Sequence, residues 1–365
     1  MALILTFLGK GGTGRTTVAI AAAKQLASLG QRVLLVGQDS GPAFGFLLGT
    51  TPSPDPQTIA ANLQVVQLQT SVLLERSWEQ VKQLEAQYLR TPLLNNVYGQ
   101  ELGILPGMDS ALALNALREW EGSGNYDVII YDGTGDQGTL RMLGMPEILS
   151  WYSRRFRKVI EDSDLWKTVS PFIQPVTSAV LNVSWSGDNF AQQPTKQVNN
   201  LLEEGKAAVA DPNRVAAYLV TSSDPTAVAT AKYLWGSAQQ VGLTVGGVLL
   251  NQAAVSETIA SEFAPLNLSS LPGSSTGDWQ PLIDALPNFR QVAGLPKPIE
   301  VDITGRQVRL FLPGFDKKQV KLTQSGPEVT IEAGDQRRNI LLPPALSGQS
   351  VKGAKFQNSY LTISF

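Results

Sequence analysis

Eight residues near the start of the chain do most to limit its fold. Gly9-Lys-Gly-Gly-Thr-Gly-Arg-Thr16 follows an apolar run, Leu3 to Leu8, and opens an alanine-rich stretch, Thr16 to Leu29. A continuous apolar run of this length is the mark of a strand buried on both faces of a parallel sheet. The alanine-rich stretch predicts a helix, with Gly30 where a C-terminal cap is expected. Strand, glycine-rich loop and helix together form the context that a phosphate-binding loop requires. Its glycines let backbone N–H groups crowd around phosphate oxygens, and the helix N-terminus adds a favourable dipole. The candidate nucleotide contacts are therefore Gly9, Lys10, Gly11, Gly12, Thr13, Gly14, Arg15, Thr16 and Thr17, with the Thr16 hydroxyl also a candidate ligand for Mg²⁺. The usual pattern ends in Gly-Lys-[Ser/Thr], and here Arg15 stands in the lysine's place. Arginine keeps the charge but is bulkier and planar, so the exchange is not neutral.

Further strands are predicted at Arg32 to Val36, Tyr126 to Tyr131, Ala216 to Thr221 and Gly246 to Leu250, with a helix from Thr226 to Val241 between the last two. Such alternation implies an α/β fold with right-handed crossovers. Asp39 follows the second strand and Asp132 ends the third. In an open parallel sheet the C-terminal strand ends line the ligand crevice. Asp132 is thus placed to hold a Mg²⁺-bound water and Asp39 to orient an attacking water. A turn-forming aspartate is the plainer reading of each. Asn251, at the end of the fifth strand, could read a base edge or simply begin a loop.

The chain has no cysteine and no histidine. That excludes thiol nucleophiles, disulfides, thiolate zinc sites and every Ser-His-Asp or Cys-His arrangement. A net charge of −2 shows no bulk basicity, so a nucleic-acid partner is not expected. The first apolar run is too short for a signal peptide or a membrane span, which needs about 20 residues, and no later run reaches that length. A cytoplasmic protein without stable membrane insertion is expected.

With 365 residues, two or three domains are expected at roughly 150 residues each. Residues 1–296 form the first, with a helical insert over about 141–212. There Ile148, Leu149, Tyr152, Phe156, Val159 and Ile160 recur at helical spacing, followed by Trp166, Val169, Phe172, Ile173, Trp185, Val198, Leu201 and Leu202. The stripe is either a local core or a partly exposed apolar binding surface. A Pro/Gly-rich linker from Val292 to Pro298 precedes the second domain, residues 297–365. Period-two runs such as Val308/Leu310/Leu312, Val329/Ile331 and Leu361/Ile363/Phe365 predict a small antiparallel β-sandwich without a helix.

Lys10-Gly-Gly-Thr-Gly-Arg-Thr-Thr17 resembles the deviant Walker loop of the arsenite-pump and tail-anchored-protein-targeting ATPases. Val33 to Asp39 is similar to that family's first switch, Leu105 to Leu114 to its Pro-Gly-Met-Asp-Glu segment, Asp132 to Leu143 to its second switch, and Val248 to Gln252 to its adenine-side strand. Leu312-Pro-Gly-Phe315, Arg337 to Pro343 and Ala354 to Ile363 resemble an α-crystallin (small heat-shock) domain, as in a subgroup of photosynthetic organisms. The resemblance implies a P-loop NTPase fold with a mainly parallel sheet, a helical insert and an all-β sandwich. It also implies ATP and Mg²⁺ as cofactors, a homodimer in which Lys10 reaches the partner's nucleotide, Asp39 as the catalytic aspartate, and hydrophobic client segments. Lys10, Asp39 and Arg15 are the candidate catalytic residues.

The departures are specific. Asp39-Ser-Gly-Pro replaces the family's Asp-Pro-Ala-His, while Gly133, Gly135 and Gly138 replace Thr, Pro and His of the second switch. The zinc-binding and metalloid-binding cysteines are absent, so no zinc is expected. Two readings of function follow: an ATP-driven switch that shelters hydrophobic segments, and a nucleotide-binding scaffold or holdase with little turnover because Arg15 replaces the loop lysine. A partition or septum-positioning ATPase shares the deviant loop, but those proteins commonly act with a membrane-targeting C-terminal helix or a DNA-binding surface, whereas this sequence is expected to end in strands and is slightly acidic.

Overall fold

The structure, a computed structural model, describes residues 1–88, 107–161, 193–273, 277–290 and 294–365. Strands β1 (Leu3–Leu8), β2 (Val33–Gly37), β3 (Gln57–Ala60), β4 (Leu63–Gln67), β5 (Val128–Asp132), β6 (Val215–Thr221), β7 (Thr244–Asn251) and β8 (Leu268–Leu271) form one sheet, in the order β3-β4-β2-β5-β1-β6-β7-β8. All neighbours are parallel except β3 and β4. The mainly parallel α/β sheet is thus as expected, and β1 lies inside it between β5 and β6.

Both faces are covered, which explains the uninterrupted apolar strands. Leu3, Leu5 and Phe7 of β1 face one core with α1 (Arg15–Ser28) and α2 (Ala43–Leu48), and Leu8 faces the other. That second core gathers residues from α4 (Met108–Gly122), α5 (Gln137–Glu161), α6 (Gln193–Ala210), α7 (Pro225–Gln240) and α8 (Glu257–Phe263). Helix α3 (Thr70–Tyr88) packs against α4 through Leu74, and α9 (Gln280–Ala285) joins α1 through Leu282. Among the described residues no helix is long and apolar enough to cross a membrane.

The C-terminal sandwich pairs β9 (Ile299–Asp302), β10 (Gln307–Phe311), β14 (Gly353–Gln357) and β15 (Tyr360–Ser364) against β11 (Val320–Ser325), β12 (Glu328–Ala333) and β13 (Gln336–Leu341). Its core holds the expected alternating residues, among them Val308, Leu310, Leu312, Val329, Ile331, Ile363 and Phe365. One expectation needs correction: a short 3₁₀ turn, Lys317–Gln319, interrupts the strands. Asp316 accepts from the N–H groups of Lys318 and Gln319, and the Gln319 side chain accepts from the Asp316 N–H. This reciprocal cap stabilises a turn too short to show as helical periodicity.

Within the insert, Ile148, Leu149 and Tyr152 are exposed on α5, whereas Leu202 of α6 is buried. The stripe is therefore part core and part exposed apolar surface. Trp166, Val169, Phe172, Ile173 and Trp185 lie outside the described residues, as do the side chains of Phe156, Val159, Ile160 and Val198 and the residues Leu105, Pro106 and Val292.

Candidate nucleotide site

The loop between β1 and α1 is shaped by backbone constraints that only glycine meets. Gly12 and Gly14 have φ of 83° and 90°, in the left-handed region. A Cβ on Gly9 would collide with the Val220 carbonyl oxygen at the tip of β6, and the Gly9 N–H donates to the Gly135 carbonyl at 2.9 Å. The Thr13 hydroxyl donates to the Lys10 carbonyl at 2.8 Å and closes the turn. A Cβ on Gly11 or Gly12 would meet no atom within 4 Å, so the outer side of the loop is open. Helix α1 has no side-chain cap at Gly14, which leaves its first N–H groups facing that space.

Asn251 reaches the loop from the end of β7. Its Nδ2 donates to the Thr13 carbonyl at 2.9 Å, and a Cβ on Gly14 would strike the same amide. Asn251 thus braces the loop from beneath. Thr17 sits in the first turn of α1 and is half-buried.

Asp132 ends β5 beside this helix start. Thr16 stands beside its carboxylate, and burial pushes the carboxyl up to about 6 against the opposing pull of Thr16 and the Arg15 charge. The nearby Asp39 carboxylate adds to the rise. A buried carboxylate held next to a hydroxyl, with a second carboxylate close by, is a donor set suited to a hydrated Mg²⁺ ion. The open glycine cradle and the uncapped helix start suit the phosphates. The residues present therefore fit a magnesium nucleotide.

Asp39 is fixed by its surroundings. Its Oδ1 accepts from the Gly41 N–H at 2.8 Å, and the amide of Gln67 donates to the carbonyls of Asp39 and Gly41 at 2.7 and 2.9 Å. The Gln38 N–H donates to the Asp132 carbonyl at 3.0 Å, which ties the two aspartate loops together. Gln67 ends β4 and sequence reasoning missed it; its only signal was a glutamine closing a short apolar run.

The two cations are both engaged within the chain. Lys10 Nζ lies 3.6 Å from Asp224 Oδ2 on the surface. An exposed pair of this kind is worth about 0–1 kcal/mol, so Lys10 is free to leave it. Arg15 turns under the second switch: its Nη1 donates to the Thr134 carbonyl, and burial lowers its pKa while Asp132 and Asp136 oppose the shift. A Cβ on Gly135 would collide with that guanidinium and with the Phe7 carbonyl.

The second switch is closed by its own side chains. Asp136 accepts from the Thr134 hydroxyl at 2.6 Å and from the Gly138 N–H at 2.8 Å, so it caps the start of α5. The Thr139 hydroxyl accepts from the Gly135 N–H at 2.9 Å, Leu140 is buried in the core, and Arg141 points outward to pair with Asp335. Thr134, Asp136 and Asp224 were not singled out in the sequence, because their partners lie across the fold or within unremarkable turns.

The family model for the anion-transporting ATPase (ArsA type) matches residues 2–267, and the model for the HSP20-like domain found in ArsA matches residues 303–365. A Chlorobaculum tepidum protein with the provisional name arsenical pump-driving ATPase is 24% identical, covering 99% of this chain and 95% of its own length. An Aquifex aeolicus protein with a similar name is 22% identical over 99% of both chains. The ATPase get3 of Schizosaccharomyces japonicus is 29% identical over 144 residues, 39% of this chain and 43% of its own. With family models matching residues 2–267 and 303–365, the chain belongs to the anion-transporting ATPase family of the ArsA type and carries the HSP20-like domain found in ArsA.

Proposed function

We propose that the protein binds ATP with Mg²⁺ and acts as a dimeric, nucleotide-driven switch that shelters hydrophobic segments of client proteins. The observation that carries this reading is the Thr16–Asp132 pair at the uncapped start of α1, under an open glycine cradle. In this reading the N–H groups of Gly11 to Thr16 bind phosphate oxygens, Thr16 ligates the metal, and Asp132 orients one of its waters. Bound Mg²⁺ would neutralise charge on the phosphates. Asp39, held by Gln67 and Gly41, orients the attacking water and accepts its proton. Lys10 exchanges Asp224 for the phosphates of a partner subunit. Asn251 keeps the loop in shape through its bond to the Thr13 carbonyl.

Exposed Phe46 and Leu47 on α2, beyond Asp39, support a protein partner at the first switch. For clients, the supporting features are the exposed Ile148, Leu149 and Tyr152 and an apolar cavity of about 140 Å³ between α4, α5 and α6. The test is steady-state turnover with binding measured alongside. Asp39→Asn should keep nucleotide affinity and lose about 10²-fold or more in rate, the scale of a positioned general base. Equal rates in both proteins would remove Asp39 from the mechanism.

The bond from Arg15 to Thr134 favours a second reading, a nucleotide-binding holdase with little turnover. A guanidinium tied to the switch backbone does not help a leaving phosphate. Arg15→Lys separates the two readings: a large gain in turnover supports the holdase, because a lysine would be free to reach the phosphates.

A further inference from the structure

Two helices carry the sandwich and hold it in different ways. On α7 the contact is close and mostly apolar. A Cβ on Gly236 would collide with the Pro313 carbonyl, and one on Gly314 with the Lys232 carbonyl. Trp235 meets Phe311 edge to face at 5.4 Å, and Tyr233 meets Phe315 likewise at 5.5 Å. Helix α7 follows β6, which carries neither switch. Backbone-to-backbone packing of this kind has one arrangement and does not slide.

On α5 the sandwich makes polar contacts. The Gln336 amide donates to Gln137 Oε1, and Arg141 pairs with Asp335. Trp151 Nε1 donates to Glu328 Oε2 at 3.1 Å, Arg154 Nε lies 3.9 Å from Glu328 Oε1, and the Arg337 guanidinium sits 5.3 Å from the Trp151 ring centre. Positions 137 and 141 are neighbours on the surface of α5, and so are 151 and 154. The first pair starts just beyond the second switch, and Gln137 also donates to Ser237 of the anchoring helix at 2.9 Å. Hydrogen bonds and exposed ion pairs can break and re-form at small cost.

We propose that the sandwich is a built-in brake on the second switch. It is anchored on α7, and its β12–β13 hairpin grips α5 so that the loop 132–136 is held over Arg15. The helix transmits the grip, because Asp136 and Thr139 lock the loop to its first turn. Holding Thr134 where it accepts from Arg15 withholds that cation from bound phosphate. The consequence for nucleotide rests on the function proposed above; the mechanical grip does not.

The experiment uses the full chain with Asp335→Ala, an exposed position, and with Trp151→Phe, which removes the indole donor to Glu328 and shrinks the ring beside Arg337. Amide hydrogen exchange without nucleotide is measured first. Residues 132–143 should exchange about fivefold faster or more in both variants, the low end of typical coupling between sites, while α7 is unchanged. Equal rates in 132–143 would overturn the grip. Titration with ATP·Mg²⁺ follows, and both variants should bind about fivefold tighter or more. Unchanged or weaker affinity would overturn the brake. If the unmodified chain binds no nucleotide, the function proposed above fails, and the exchange result still decides the grip.

Discussion

The phosphate loop and the second switch are both rich in glycine, yet their glycines do opposite things. At Gly11 and Gly12 the space a side chain would fill is open. At Gly133, Gly135 and Gly138 it is taken, by Tyr131 and Thr139, by Arg15 and the Phe7 carbonyl, and by Asp136 and Thr134. The first loop uses glycine to leave its backbone open. The second uses it to let neighbouring groups in. Arg15 connects them, because its bulk requires the missing side chain at Gly135. The lysine-to-arginine exchange and the proline-to-glycine exchange thus read as one physical change in two places.

Substitutions can break this comparison, and the largest effect belongs to Gly135→Ala. It adds a collision with Arg15 and the Phe7 carbonyl to a backbone at φ 62°. A loss of about 3 kcal/mol in unfolding free energy is expected, combining overpacking with left-handed strain. Chemical denaturation measures it. In a double-mutant cycle with Arg15→Ala the two changes should couple by about 0.5–3 kcal/mol, and additive losses would show that Arg15 and Gly135 are independent.

The next effect is a pH dependence located at Asp132. Its carboxyl is raised to about 6, so it takes up a proton as pH falls through that value and ceases to serve a cation. Affinity for ATP·Mg²⁺ should drop about tenfold per pH unit below 6, and Asp132→Asn should abolish the dependence. The same shift has the opposite sign for stability without ligand. The folded protein binds the proton more tightly than the unfolded chain, so stability falls as pH rises from about 4 to 6 and is constant above. Thermal denaturation of the free protein across that range checks the sign.

The smallest effect is expected on the open side. Gly12→Ala meets no neighbour, and only its φ of 83° opposes it. About 1 kcal/mol of stability should be lost, clearly less than at Gly135. A loss equal to that of Gly135→Ala would mean that the loop is packed rather than open.

Much of this was legible in the chain itself. Buried strands betrayed themselves through unbroken apolar runs, and the sandwich through alternation such as Val308-Arg-Leu310. The positions of Asp39 and Asp132 followed from the rule that strand ends line the crevice. The edge strand β3 escaped notice because it is half-exposed and carries no clear apolar face, and β4 beside it because its buried apolar run is short and interrupted by glutamine. Gln67, Asp224 and Thr134 escaped because each acts through a partner distant in sequence. Arg141 and Asp335 look like solvated surface charges, and only the packing of the sandwich makes them a pair. Asn251 was located correctly at its strand end, but its bond to Thr13 gives it a bracing role that no local pattern announces.

The central claim is that the cradle between β1 and α1 receives a magnesium nucleotide through Thr16 and Asp132. Calorimetric titration of ATP with Mg²⁺ into the full chain and into Thr16→Ala tests it most directly. Saturable binding is expected, weakening about tenfold or more in the variant, because the hydroxyl that would ligate the metal beside Asp132 is lost. No binding heat at millimolar ATP, or equal affinity in the two proteins, would contradict it.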